Sequence, residues 1–302
     1  MSDSPLPSSP KFKSALDLWD AFHAPGASPG SARYCYDPLP EQRYISLPLS
    51  ALTVSNPKKL DISGSVVWFP EAEHQALMRI RFHIAAASRN CSFSFIRIPT
   101  GLSFHILGSG HKFLCLSGNK LGAKIAFVNK TKSPKRGSSA LIGDRSFMGQ
   151  VRIVLKDTDL QIERGTLWSD EILLQGSSQH GIVDLSNRAI TTPGRNNLHI
   201  EEHVWIGRRA ILMPGTTIGR GSVVGTGTTA TKSYPECSII VGNPGRVVKS
   251  NTSWAHSPDF ISARETDFFD SIELGPSQPQ LRPPPRATLR VRALPFESLG
   301  HS

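Results

Sequence analysis

Residues 200–244 read IEEHVWIGRRAILMPGTTIGRGSVVGTGTTATKSYPECSIIVGNP, and this stretch decides the fold. Apolar side chains recur in it at intervals of six, at Ile200, Ile206, Leu212, Ile218, Val224 and Ala230. A small or β-branched residue follows each of the first five by four positions, at Val204, Ala210, Thr216, Ser222 and Thr228. Side chains repeat every 3.6 residues in a helix and every two in a strand, so neither element explains this period. A fixed short period of this kind indicates a β-helix of hexapeptide repeats.

Each six-residue unit corresponds to one flat face and one corner of the predicted β-helix. The aliphatic residue points inward and stacks on its equivalents in neighbouring coils, while the small residue fills the space beside it. Gly207, Gly219 and Gly225 directly follow three of the aliphatic positions and permit the tight turn. Three faces would close a coil of about 18 residues, with neighbouring coils about 4.8 Å apart. The sequence therefore predicts an all-β parallel β-helix.

The quality of the repeat predicts where the β-helix domain begins and ends. We expect it to span 61–249, with degenerate first coils over 61–140 and clear hexads over 141–249. The clear block is interrupted at 175–199 by the polar, Gly- and Asn-containing stretch QGSSQHGIVDLSNRAITTPGRNNLH. Because a rigid solenoid tolerates a long insertion, we predict a functional loop there.

The remaining parts of the chain lack the repeat. Residues 1–60 are predicted to be a partly disordered N-terminal extension with one short amphipathic helix over 11–23. Residues 250–275 are predicted to form a C-terminal cap. Residues 276–302 are rich in Pro and Arg and are predicted to be disordered.

Composition limits the compartment and the partners. The first residues lack the apolar core of a secretory signal, no run of 18 apolar residues is present, and the four cysteines are scattered without a CxxC pair. We therefore expect a cytoplasmic protein with reduced thiols, no transmembrane segment and no zinc. The formal net charge of +10 favours an anionic partner. Nucleic acid is not predicted, because the charge is not gathered in one reading element.

His180 and Trp205 are the two residues whose positions indicate chemistry. His180 lies inside the predicted insertion, and an imidazole is suited to act as a general base near neutral pH. Asp170 or Asp184 could orient its ring, and so could a backbone carbonyl. Trp205 takes an outward position in its hexad, where a large aromatic needs a cover such as a subunit interface or a cofactor.

Four segments carry a resemblance to a known family. HVWIG, ILMPGTTIG, GSVVGTGTTATKSYP and IIVGNPGRVVK resemble the hexapeptide-repeat acetyltransferases, which include the galactoside and maltose O-acetyltransferases. LWSDEILLQGSSQHGIVDL is similar to the branch that O-acetylates capsular and other bacterial polysaccharides. The resemblance implies a left-handed parallel β-helix and direct acetyl transfer from acetyl-CoA to a sugar or polysaccharide hydroxyl. It also implies a homotrimer whose active sites lie between subunits.

The resemblance also implies a role for each matching position. His180 would deprotonate the acceptor hydroxyl, and Trp205 would pack beside the thiol end of the cofactor. The other positions would contact acetyl-CoA along its length: Arg208 and Thr226 beside the pantetheine, Thr231 and Lys232 near the adenine, Arg246 and Lys249 at the nucleotide phosphates.

Three alternatives stay open at this point. The same base would serve N-acetylation of a nucleotide-linked amino sugar. A γ-type carbonic anhydrase has the same fold and binds zinc through three histidines, for which His180, His199 and His203 are the candidates. A non-catalytic β-helix that serves as an interaction module is the third.

Overall fold

The computed structural model describes residues 44–129, 137–178, 180–191 and 196–273. The predicted helix over 11–23 and the predicted disordered tail over 276–302 lie outside these ranges. Within them, no helix is both long and apolar enough to cross a membrane.

Strands, numbered in chain order, wind into a β-helix with three faces. Face 1 is a nine-stranded sheet, parallel except for its first strand. Its members in spatial order are β1 (Tyr44–Pro48), β3 (Val66–Pro70), β5 (Ser92–Phe95), β7 (Lys112–Cys115), β9 (Ser139–Ile142), β11 (Thr158–Ile162), β16 (Asn196–Ile200), β19 (Thr217–Ile218) and β22 (Ser233–Tyr234).

A thirteen-stranded sheet supplies the other two faces. Face 3 contains β2 (Val54–Ser55), β4 (Arg81–Ile84), β6 (Ser103–Leu107), β8 (Leu121–Val128), β10 (Phe147–Lys156), β13 (Ile172–Gln175), β18 (Ile211–Leu212) and β21 (Thr229–Ala230). Face 2 contains β12 (Leu167–Trp168), β17 (Trp205–Ile206), β20 (Val223–Val224), β23 (Ile239–Val241) and β24 (Arg246–Lys249).

The long strand β10 joins these two faces. Its first two residues pair with β12, whereas residues 151–154 pair with β13. The strand therefore bends around the corner between face 2 and face 3. We call the three corners 1–2, 2–3 and 3–1, after the faces that they connect in chain order.

The inward side chains form the core that the hexads predict. Ile200 pairs with Ile218, and Ile206 with Val224, so equivalent positions are 18 residues apart. All six hexad positions from Ile200 to Ala230 are fully buried. The predicted parallel β-helix is confirmed.

The early coils belong to the same two sheets although their sequence shows no clean hexads. Aromatic side chains fill their interior: Phe82, Phe93, Phe104, Phe113 and Phe127 are buried. Phe104 contacts Phe82 with ring centroids 5.1 Å apart and Phe113 with centroids 4.8 Å apart. A large aromatic can replace an aliphatic residue together with its small neighbour, so the six-residue pattern is lost while the coil is kept.

The predicted start of the β-helix at residue 61 is wrong. β1 pairs antiparallel with β3 on face 1, and β2 pairs parallel with β4 on face 3. The physical reason is that β1 closes the end of the solenoid in the reverse direction and the 3₁₀ turn Leu49–Ala51 separates it from β2. This irregular connection leaves no six-residue period in the sequence.

Three segments lie outside the two large sheets. Helix α1 (His74–Leu77) follows the 3₁₀ turn Glu71–Glu73, and a second 3₁₀ turn spans Leu49–Ala51. The insertion lies at corner 3–1 and contains the hairpin β14 (Val183–Asp184) and β15 (Ala189–Ile190). Residues 196–199, predicted within the insertion, belong to β16. Helix α2 (Ala263–Asp270) lies in the C-terminal segment.

Candidate functional site

The eight predicted site residues are all exposed, but they lie along two different edges of the β-helix. The face 2 edge, which is face 2 with its corner 2–3, holds Trp205, Arg208, Thr226, Arg246 and Lys249. Corner 3–1 holds the other three, His180, Thr231 and Lys232. Face 3 separates the two groups within one chain.

Trp205 owes its exposure to a two-residue strand. In β17 the side chain of Ile206 points inward, so that of Trp205 points out and remains 38% exposed. The indole Nε1 donates a hydrogen bond to Ser169 Oγ at 3.5 Å, and the ring lies 6.0 Å from that of Trp254. The indole therefore presents an apolar surface at the face 2 edge, next to the C-terminal segment.

Arg208 is bound by a carboxylate that the sequence analysis missed. Glu171 accepts from Arg208 Nη2 at 2.6 Å and from Arg209 Nε at 2.5 Å. These two hydrogen bonds, that of Arg209 first, hold the pKa of Glu171 below its ordinary value. The register of the coils could have revealed this contact. The N–H of Arg209 donates to the carbonyl of Asp170, so residues 169–171 lie one coil before the arginine pair.

Thr226 lies one coil further along the same corner. The N–H of Gly227 donates to the carbonyl of Arg208 at 2.9 Å, which places Thr226 beside the arginine turn. Arg246 and Lys249 follow on β24, which turns back and pairs antiparallel with β23. The face 2 edge therefore runs from an indole to two exposed cations at the last coil.

Thr231 and Lys232 lie at the last turn of corner 3–1. The N–H of Thr231 donates to Tyr234 Oη at 3.3 Å, and Tyr234 Oη donates to the carbonyl of Gly245 at 3.2 Å. Lys232 Nζ is 5.8 Å from the centroid of the Tyr234 ring. The buried tyrosine thus links this turn to the segment that leads into β24.

His180 lies on the exposed insertion and forms no hydrogen bond with another described residue. One predicted partner, Asp184, accepts from Ser186 N at 2.8 Å and Ser186 Oγ at 2.6 Å. These hydrogen bonds keep the pKa of Asp184 below its ordinary value. Among the described side chains, neither of the two predicted carboxylates, Asp184 and Asp170, is hydrogen-bonded to His180.

The other two histidines of the zinc alternative have partners of their own. His199 Nε2 is 2.8 Å from Glu163 Oε1 on the outer surface of face 1. Burial lowers the pKa of His199, but the hydrogen bond and charge of Glu163 raise it above its ordinary value. His203 is buried at corner 1–2, where burial lowers its pKa. In the described ranges, no three His, Cys, Asp or Glu side chains are grouped as metal ligands.

Three of the thiols lie in the described ranges, and they are free and buried. Burial raises the pKa of Cys115 to about 12 and that of Cys91 above its ordinary value. Because the thiolate is the nucleophile, neither side chain is suited to form an acyl-enzyme.

The C-terminal segment is held on corner 1–2 by a reciprocal pair. Trp254 Nε1 donates to the carbonyl of His203 at 2.8 Å, His203 Nε2 is 3.0 Å from the carbonyl of Trp254, and the rings stack with centroids 4.4 Å apart. Glu265 then fixes helix α2, since its carboxylate accepts from Ser262 N, Ser262 Oγ and His256 N, each within 2.8 Å. This capping box orders the segment next to Trp205.

Replacing Glu265 with glutamine should lower the free energy of unfolding by about 1–3 kcal/mol at pH 7, since a buried charged acceptor is lost. Burial raises the pKa of Glu265, but the hydrogen bonds from Ser262 and His256 outweigh burial and lower it to about 2. Because the pKa of Glu265 is lower in the folded protein than its ordinary value of 4.5, its carboxylate stabilises the fold at any pH above 4.5. This contribution is lost as the pH falls from 4.5 through about 2. Urea unfolding should therefore show the two proteins converging over that window, and a constant difference would contradict the assignment.

Part of the chain that carries this site is similar to known proteins. The model of the bacterial transferase hexapeptide (six repeats) matches residues 197–232. An acetyltransferase candidate of Staphylococcus aureus (strain COL) is 46% identical over 52 residues, which is 17% of this chain and 26% of that protein. The galactoside O-acetyltransferase of Lactococcus lactis (strain IL1403) is 29% identical over 91 residues, which is 30% of this chain and 43% of that protein. The chain thus spans less than half the length of these relatives.

The solved structure of the polySia specific acetyltransferase NeuO resembles the fold over a longer range. It aligns with a TM-score of 0.61 at 20% identity, covering 73% of this chain and 91% of that one. That likeness extends the shared architecture beyond the matched repeat to most of the chain. The hexapeptide coils and the repeat match on 197–232 are thus shared with hexapeptide-repeat transferases, and the matched relatives include acetyltransferases.

Proposed function

We propose that the chain is an acetyl-CoA-dependent O-acetyltransferase that acetylates a hydroxyl of a sugar or polysaccharide, with His180 as general base. The observation that carries this proposal is the position of the insertion. It leaves the β-helix between β13 and β16 and carries an exposed histidine, and β17 of the next coil presents an exposed tryptophan. The sugar and polysaccharide acetyltransferases among the similar proteins support the acceptor class.

The residues of the face 2 edge fit acetyl-CoA in chemistry and order. The cofactor has anionic phosphates at one end and an uncharged thioester at the other. Trp205 offers an apolar surface in β17, and Arg246 and Lys249 offer cations beside β23, two strands or roughly 10 Å further along the helix axis. Arg208 and Thr226 lie at corner 2–3 of the same edge. The phosphates would bind at β24 and the thioester beside the indole.

The separation of the two edges supports a homotrimer. His180, Thr231 and Lys232 are at corner 3–1, and the Trp205 side of the site is across face 3 in the same chain. A complete site therefore needs the insertion of one subunit against the face 2 edge of another. We propose that three copies pack side by side and form three such sites.

The reaction follows from these groups. His180 takes the proton of the acceptor hydroxyl as the oxygen attacks the thioester carbonyl carbon. Hydrogen-bond donors at the site stabilise the oxyanion. The ester C–O bond forms, the C–S bond breaks, and the proton held by His180 passes to the departing CoA sulfur. We propose that this chemistry takes place in the cytoplasm.

The cofactor assignment is tested by calorimetric titration with acetyl-CoA. The wild type should bind at sub-millimolar concentration. Because two charge-assisted contacts to phosphate are lost, the double variant R246Q/K249Q should bind about tenfold more weakly. The matched control K58Q/K59Q removes two exposed cations far from face 2 and should bind like the wild type. A wild type that fails to bind would favour the non-catalytic interaction module.

A further inference from the structure

The outer surface of face 3 carries an aligned row of cations in its early coils. Arg81 pairs with Ser103, Ser103 with Lys124, and Lys124 with Arg152, so all four share one register position. The three basic side chains, which we call the cationic row, are exposed because the alternate residues of their strands point inward. Neighbouring strands are about 4.8 Å apart, so the charges lie on a line parallel to the helix axis.

A second row lies two residues further along the same strands. The rings of His83 and His105 stack there with centroids 4.7 Å apart, and His83 Nδ1 is 3.3 Å from Ser55 Oγ. Burial, and then the neighbouring His83, hold the pKa of His105 below its ordinary value. Both rows line one shallow cleft of about 760 Å³.

No carboxylate balances this surface in the described part of the chain. The eight strands of face 3 contain neither Asp nor Glu, and no ion pair within the described ranges involves the cationic row. Three arginines elsewhere do have a carboxylate partner: Arg208 and Arg209 pair with Glu171, and Arg220 pairs with Glu236. Aligned, unbalanced charges produce a positive potential that attracts an extended anion.

The cationic row points along face 3 towards the candidate base. Arg152 pairs with Leu173 of β13, and β13 ends at Gln175, where the insertion that carries His180 begins. A chain lying along the row would therefore reach the insertion without leaving face 3.

We propose that the cationic row binds an anionic polysaccharide with carboxylates on its sugars, extended along the helix axis. The unbalanced positive charge selects a polyanion, and the stacked rings of His83 and His105 turn their edges outward, where ring nitrogens can hydrogen-bond to sugar hydroxyls. Single-stranded nucleic acid fits less well, because Phe82, Phe104 and Phe127 of these strands point inward and cannot stack on bases. The identification of this polymer as the acetyl acceptor rests on the proposed function.

The test measures binding of the full-length protein to polygalacturonate, with dextran of matched length as the neutral polymer and single-stranded DNA as the other polyanion. The variant R81Q/K124Q/R152Q removes the row, and the control K58Q/K59Q/R79Q removes the same charge outside face 3. We expect the wild type to bind polygalacturonate with an affinity that falls as salt is added, and not to bind dextran. The affinity for polygalacturonate should fall about tenfold in the row variant and change little in the control. Acetyl-CoA binding should be equal in all three proteins.

Three results would overturn the proposal. The first is wild-type protein that does not bind polygalacturonate, and the second is an equal loss in the row and control variants. The third is tighter binding to DNA than to polygalacturonate. If instead the polymer binds through the row but no acetyl group is transferred, the binding surface stands and the proposed acetyltransferase activity fails.

Discussion

Replacing His180 with asparagine is expected to lower kcat for acetyl transfer by about 10²–10⁴-fold, the usual contribution of a positioned general base. His180 is exposed on the insertion, away from the predicted phosphate contacts on β24. Affinity for acetyl-CoA should therefore change by no more than about twofold. Thiol release at saturating substrate and calorimetry measure the two quantities separately.

His199 provides the matched control, because it is a histidine in the strand that directly follows the insertion. Its hydrogen bond with Glu163 raises its pKa, so a larger share of its rings is protonated and unable to accept a proton. His199→Asn should keep kcat within about threefold of the wild type. The opposite result, with activity lost in His199→Asn and kept in His180→Asn, would move the base to the His199–Glu163 pair.

Trp168→Ala is expected to lower the free energy of unfolding by about 3–5 kcal/mol, because it empties a large volume inside the β-helix. Trp168 is fully buried, between Met148 and Ile206 in the face 2 ladder. Its Nε1 donates to Thr166 Oγ1 at 3.0 Å. The substitution therefore loses apolar contacts and leaves the Thr166 hydroxyl with one bond fewer.

Trp205→Ala is the control for this change, since Trp205 lies on the next strand of the same face but points outward. Its loss should cost about 1 kcal/mol or less and should instead weaken acetyl-CoA binding. Urea unfolding followed by far-ultraviolet circular dichroism separates the two variants. Equal destabilisation would contradict the assignment of Trp168 to the core and Trp205 to the surface.

The sequence predicts the clear coils well because each position of a repeat accepts only one kind of side chain. A six-residue face requires one inward aliphatic residue and one small neighbour, and Ile200 to Ala230 satisfy both at every repeat. The early coils escape this pattern because phenylalanines fill their interior in another way. β1 and β2 lack the pattern because β1 is an antiparallel closing strand and a 3₁₀ turn at Leu49–Ala51 separates it from β2.

The site was less predictable, because spacing along one chain does not reveal which edge a residue occupies. In the structure, Trp205 and Lys249 lie on the face 2 edge, whereas His180 and Lys232 lie at corner 3–1. Glu171 was missed because the insertion shifts it from Arg209 by far more than one regular coil. The contact between Trp254 and His203 could not be predicted from the sequence either, because it joins a segment without repeats to a corner of the β-helix.

The most direct test of the central claim is thiol release from acetyl-CoA with a panel of neutral and carboxylated oligosaccharides, followed by mass analysis of the products. We predict thiol release that depends on the acceptor and a product that gains one acetyl group and loses it in mild alkali, as an ester does. An alkali-stable acetyl group on an amino sugar would show N-acetylation instead. Release of thiol at the same rate with and without every acceptor, or no release at all, would contradict the assignment of this β-helix as a sugar O-acetyltransferase.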